Sequence, residues 1–151
     1  MSVLKNKRSE SKAEYLNTAF TICSETMSFL KLLSARYSRL LAQDTMNLAV
    51  QVMTEAEKAN SIFPSDETRK ELRKRHLLEA RASLLSLDVM LTLCYQSIMK
   101  NPEGAFTNSK GRTLESDESI KKIERMSENL GCLIDKENAL LTKVLKSDNQ
   151  R

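Results

Sequence analysis

Glycine and proline are scarce in this chain, with three Gly and two Pro in 151 residues. Tight turns depend on these two residue types, so a many-stranded sheet is disfavoured and long helices are favoured. Histidine is scarcer still, because His76 is the only one. There is no Glu-x-x-His pair, so the di-iron site of ferritin-like bundles has no ligands here. No Cys/His cluster has zinc spacing. A Cys–His nucleophile would have to draw on His76, which sits in a basic segment with no evident third member. Neighbouring carboxylates such as Asp117 and Glu118 read as helix-cap residues. The expectation is a non-enzyme without cofactor or metal.

Other absences bound where the protein works. No apolar run approaches the length of a membrane span. Residues 1–12 contain no apolar stretch of the kind that marks a secretory leader. Cys23, Cys94 and Cys132 are odd in number and each falls inside a helical pattern, so they read as small core residues of a reducing compartment. A soluble cytoplasmic protein with no membrane contact is expected. The net charge of +4 permits binding to nucleic acid without establishing it. The length fits one domain with a sizeable core. We read residues 1–10 as a basic arm carrying Lys5, Lys7 and Arg8, residues 11–146 as the domain, and residues 147–151 as a tail.

What is present is helical periodicity. The organising stretch runs from Thr68 to Lys100, without Gly or Pro and rich in residues that lose little freedom in a helix. Ala80, Leu84, Leu87, Leu91, Cys94 and Ile98 recur every three or four positions and form a packing seam. Leu78, Ala82, Leu85, Val89 and Leu93 form a second stripe on the far side. A helix apolar on two opposite faces is buried from both. The rest of a four-helix bundle covers one face, so the other predicts self-association through Leu78, Leu85 and Val89. Toward its start the seam turns cationic, reading His76, Arg73, Arg69, with Lys70, Lys74, Arg75 and Arg81 around it. That end is read either as a solvated overhang or as a phosphate-binding mouth.

Three more helices are expected. The first spans about Ser11 to Leu33, with Leu16, Ala19, Phe20, Cys23, Met27 and Leu30 as its face. The second spans Tyr37 to Ile62 on a seam of Leu41, Leu48, Val52, Ala56 and Ala59. It stops at Phe63-Pro64, since the residue before proline disfavours the α region. Ser65 is the expected cap of the third helix. The short connection makes these two helices antiparallel neighbours. The fourth spans Ser116 to Lys146, capped by Ser116, with Ile120, Ile123, Met126, Leu130, Ile134, Leu141 and Val144 inward. Gly131 in its middle suggests close approach of another helix. Glu137 falls within the apolar arc, and an ion pair with His76 or Arg73 is expected, because an unpaired buried carboxylate is costly. Asn101 to Thr113 reads as a solvated loop with a Lys110-Gly111-Arg112 tip. Tyr37 between Arg36 and Arg39 is a packing residue, or else a platform for a base. The fold class is thus all-α, an antiparallel up-and-down four-helix bundle.

Several stretches carry a family likeness. They are Ala35-Arg36-Tyr37-Ser38-Arg39-Leu40-Leu41-Ala42-Gln43, Ala56-Glu57-Lys58-Ala59-Asn60, the run from Leu78 to Asp88, and Ile123-Glu124-Arg125-Met126 followed by Leu130-Gly131. Together they resemble the bacterial four-helix-bundle proteins related to the accessory variability determinant of diversity-generating retroelements. These in turn are similar to the ribosomal-RNA intervening-sequence proteins. The resemblance covers about two thirds of the chain. It implies a pentameric barrel, and a non-catalytic accessory role in which basic side chains bind RNA or DNA beside a reverse transcriptase. The matching positions are Arg36, Arg39, Arg81 and Arg125. With the basic end of the third helix, the candidate nucleic-acid contacts are Arg36, Arg39, Arg69, Lys70, Arg73, Lys74, Arg81 and Arg125. The other reading is a protein–protein scaffold without nucleic acid.

Overall fold

The computed structural model describes Ser2, Leu4, Lys5 and residues 13–150. Lys7, Arg8, Ser11 and Lys12 of the expected arm and first helix lie outside the described residues. Four helices form: α1 (Glu14–Leu30), α2 (Ala35–Asn60), α3 (Glu67–Lys100) and α4 (Ser116–Asn149). The described residues contain only two isolated bridges and no strand. Helix α2 packs on α1 and α3, and α4 packs on α3 and α1. One core results, built mainly from Leu, Ile and Ala.

The seams place the core. Ala80, Leu84, Leu87, Leu91, Cys94 and Ile98 of α3 are all buried, as are Leu41, Val52, Ala56 and Ala59 of α2. The face of α1 is rotated from expectation. Phe20 and Met27 are 42% and 54% exposed, while Tyr15, Ile22, Thr26 and Phe29 face inward. A stripe of Ala19, Ile22, Thr26 and Phe29 keeps the same helical spacing, so periodicity alone did not separate the two arcs.

The ends of the helices differ from the sequence reading in physically explicable ways. Asp66, not Ser65, caps α3, accepting from the Arg69 N–H at 2.8 Å; its carboxylate also suits the positive end of the helix dipole. Ser116 begins α4 and does not cap it. The cap comes from the preceding loop, where Glu103 accepts from the Ser116 N–H at 2.9 Å and from its hydroxyl at 2.7 Å. Helix α4 continues past Lys146 to Asn149.

The Asn101–Thr113 segment is not a solvated connector. Ala105 and Phe106 are fully buried, and Phe106 meets Phe29 edge to face at 5.8 Å. The Ser34 N–H donates to Ala105 O at 2.8 Å and the Thr107 N–H to Leu32 O at 2.8 Å. The loop therefore closes the end of the core between α1 and α2. Gly104 and Gly111, with φ of 67° and 80°, take the left-handed conformations its two turns require. The tip at Lys110 and Arg112 stays exposed, tied by both backbone N–H groups to the Asn108 side chain.

Candidate functional site

The side of α3 opposite its seam forms a continuous exposed surface. Leu78 is 44% exposed, Leu85 47%, Val89 67% and Leu93 46%. Ala82 lies exposed between them. These residues follow each other at helical spacing, so one stripe about four turns long faces outward. The sequence led us to expect this stripe to be covered, and within one chain it is not. Leu93, left out of the expected contact set, belongs to it by the same periodicity. The stripe is bounded by Glu71 and Arg75 toward the start of α3 and by Gln96 and Lys100 toward its end, all exposed.

The eight candidate cations do not form one surface. Arg36 donates to the carbonyls of Asn101 and Glu103 and stacks 4.9 Å over the Tyr37 ring. It thereby satisfies backbone acceptors where α3 ends. Tyr37 itself is buried and its hydroxyl donates to Ser97 O and Asn101 O at 3.2 and 2.9 Å, so it is a packing residue rather than a base platform. Arg39 is exposed nearby. Arg69, Lys70, Arg73 and Lys74 lie at the other end of α3, which at 1.5 Å per residue is roughly 35–45 Å away. Arg69 pairs with Asp66 at 2.6 Å, and Lys70 approaches Glu67 at 3.5 Å. Arg81 donates to the Asn138 side chain at 3.0 Å. Arg125 lines a separate cleft of about 250 Å³ between α1 and α4, with Glu25 and Lys122.

Arg73 has a structural task. Its Nε donates to Asp148 Oδ2 at 2.6 Å and its Nη1 to Ala59 O and Ile62 O at 2.9 and 3.2 Å. It ties the last turn of α4 to the end of α2, where carbonyls lack helical donors. The expected cationic mouth is electrically mixed. A groove of about 210 Å³ holds Lys70 and Lys74 beside Glu67, Glu71 and Asp148.

Glu137 does not make the pair with His76 or Arg73 that the sequence led us to expect. His76 Nδ1 instead meets Glu55 Oε2 at 2.5 Å, and Arg73 is taken by Asp148. Burial works against the Glu55 carboxylate, but hydrogen bonds from His76 and Lys58 outweigh it and hold its pKa below the usual range. Glu137 is fully buried, and among the described residues neither of its oxygens has a hydrogen-bond partner. Burial pushes its pKa up to about 8, with Lys136 opposing weakly. The cost of a buried charge is avoided by keeping the proton rather than by pairing.

Burial pushes the Cys94 thiol up to about 11 and raises that of Cys23. A reactive thiolate needs the opposite shift. Cys132 is exposed, against the expectation that all three cysteines are core residues. Among the described residues no His/Cys/Asp/Glu group is arranged to hold a metal ion, and none of their helices is long and apolar enough to cross a membrane. Gly131 does not admit a neighbouring helix. A Cβ there would meet nothing within 4 Å, and the residue borders an open cleft of about 130 Å³ with Asp88, Thr92 and Ser127. No protein-family model, curated protein or solved structure matches the chain.

Proposed function

We propose that this chain is a non-catalytic helical module that works as a homo-oligomer, with the outer face of α3 as its contact surface. The observation that carries the reading is the exposed stripe of Leu78, Leu85, Val89 and Leu93. Exposed apolar residues occur singly elsewhere, at Leu40 and Phe63 for example, but a contiguous apolar stripe marks an interaction site. Covering it removes apolar area from water at about 25 cal/mol per Å². The bundle beneath it is read as antiparallel and up-and-down. The cross-helix contacts support this. Tyr37 meets Ser97 and Asn101, Gln51 meets Ser83, and Glu55 meets His76, so numbers rise along α2 as they fall along α3. Arg81 with Asn138 and Arg73 with Asp148 support the same relation between α3 and α4. A reducing compartment such as the cytoplasm suits the exposed Cys132.

The test is mass in solution. Sedimentation should give an oligomer for the natural chain and a folded monomer for Leu85→Glu combined with Val89→Glu. A natural chain that stays monomeric, or a double variant that still associates, rejects the surface. The pentameric barrel implied by the family resemblance is one outcome that this measurement distinguishes.

One observation favours the accessory nucleic-acid-binding reading as well. Arg39, Lys74 and Arg75 are exposed and make no ion pair among the described residues. In that reading they neutralise phosphates without reading bases, in support of a reverse transcriptase. The test is RNA and DNA binding across a salt series, with Arg39→Glu and Lys74→Glu together, both of which lie off the apolar stripe. Arg73 is unsuitable for charge reversal because it holds α2 and α4. Affinity independent of salt, or unchanged in the variant, removes this reading.

A further inference from the structure

Resting on the α3 surface proposed above, we infer that its occupant is the α3 of a second copy, packed antiparallel about a two-fold axis passing between Leu85 and Ser86. The argument is self-complementarity. Across such an axis Leu78 stands opposite Leu93 and Ala82 opposite Val89, while Leu85 packs beside the axis. Farther out Arg75 stands opposite Gln96, whose side-chain carbonyl accepts from a guanidinium. At the rims Glu71 stands opposite Lys100, twice per dimer. Apolar positions meet apolar ones through the exposed stripe, and both ends are closed by opposite charges. Neither Glu71 nor Lys100 makes an ion pair within its own chain among the described residues.

The same residues disfavour the parallel arrangement. In register it sets Glu71 against Glu71, Arg75 against Arg75 and Lys100 against Lys100, each a like-charge contact. The spacing also suits a helix pair. Glu71, Arg75, Leu78, Ala82, Leu85, Val89, Leu93, Gln96 and Lys100 advance by steps of three or four, the seam of a two-stranded antiparallel contact. An isologous contact of this kind closes on itself and makes a dimer.

The footprint sets the strength. From Glu71 to Lys100 the seam is about 44 Å long, and one helix is about 10 Å wide, giving on the order of 450 Å² per partner. A standard stable interface takes about 800 Å² per partner, so the dimer is weak and concentration-dependent.

Disulfide trapping tests the geometry, in chains with Cys132→Ser. Leu78→Cys and Leu93→Cys are each prepared alone and then mixed under mild oxidation. The expected result is cross-linking in the mixture and little in either alone, because Leu78 and Leu93 are about 22 Å apart along the axis. Leu78→Cys cross-linking to itself overturns the two-fold antiparallel arrangement in favour of a parallel one. Absence of any cross-link, with the natural chain still oligomeric, also overturns it while leaving the α3 surface intact as a contact on some other patch. Met27, Leu40 and Val50 on α1 and α2 are exposed apolar residues elsewhere on the chain, and a heterologous ring would use one of them. A natural chain that remains monomeric from about 1 µM to about 1 mM overturns both this inference and the surface itself. Charge exchange gives a second readout that keeps the stripe unchanged. At low salt, Glu71→Lys or Lys100→Glu should each weaken the dimer about ten-fold, and the two together should restore it. Single variants without effect, or a pair without rescue, reject the rim contacts and with them the register.

Discussion

Glu137 offers the sharpest test of the energetics, because its side chain is fully buried with no hydrogen-bond partner for either oxygen among the described residues. Its pKa rises from an ordinary 4.5 to about 8 on folding. Below the lower value the carboxyl is neutral in both states and its ionisation costs nothing. Between the two values the unfolded chain releases the proton and the folded chain keeps it. Stability then falls with rising pH at about 1.4 kcal/mol per unit. From 4.5 to neutral pH this amounts to about 3 kcal/mol, and above the folded pKa it levels off near about 5 kcal/mol. The direction is opposite to that of Glu55, whose lowered pKa contributes stability above its unfolded pKa that is lost as pH falls through its folded pKa.

The assay is urea unfolding of the natural chain and of Glu137→Gln across a pH series. Subtracting the two curves cancels every other titrating group. The difference should be small in mild acid and should grow to about 3 kcal/mol in favour of Gln at neutral pH. Glu137→Leu should be the more stable at every pH, since it also removes polar atoms that have no partners. A difference that stays flat with pH refutes the reasoning. It would mean that the carboxyl titrates alike in the folded and unfolded chains, its burial being offset by water or a partner.

Further outcomes follow from single contacts. Phe106→Ala should cost about 3–5 kcal/mol, measured by urea unfolding, because a fully buried ring against Phe29 leaves a cavity. Glu103→Ala removes the acceptor for the first turn of α4 and should cost about 1 kcal/mol in the same measurement. Gly131→Ala should stabilise by about 1 kcal/mol in thermal unfolding, since the position is helical and open.

The four helices were legible because each carries a run of apolar residues at helical spacing long enough to outweigh local exceptions. The limits of that signal are visible at α1. Both Leu16 with Cys23 and Ile22 with Phe29 satisfy the period, and only packing against α2 and α4 turned Phe20 and Met27 outward. The loop was misjudged for a different reason. Ala105 and Phe106 are two apolar residues among Pro, Gly, Asn and Ser, too few to show a period. Their burial is decided by the open end of the bundle, which the local sequence does not describe. Long-range partners were the least legible. Asp148 was assigned to a tail, so Arg73 was offered to Glu137 or to a phosphate. The structure gives it a carboxylate and two carbonyls.

That reassignment changes what the basic residues mean. Arg36 and Arg73 sit at opposite ends of α3 and do the same work, satisfying carbonyls where α3 and α2 run out of helical donors. A guanidinium suits this because its planar fork reaches several acceptors at once while its charge offsets the negative end of the helix. Cationic composition in a bundle with long helices therefore reflects helix ends before it reflects ligands. The exposed aliphatic stripe has no such internal use. Leu78, Leu85, Val89 and Leu93 lie outside the core cluster of their own chain. Within one copy they are an unrecovered cost of hydration, and a second copy turned end for end is the arrangement in which both the apolar stripe and the charges at its rims find partners.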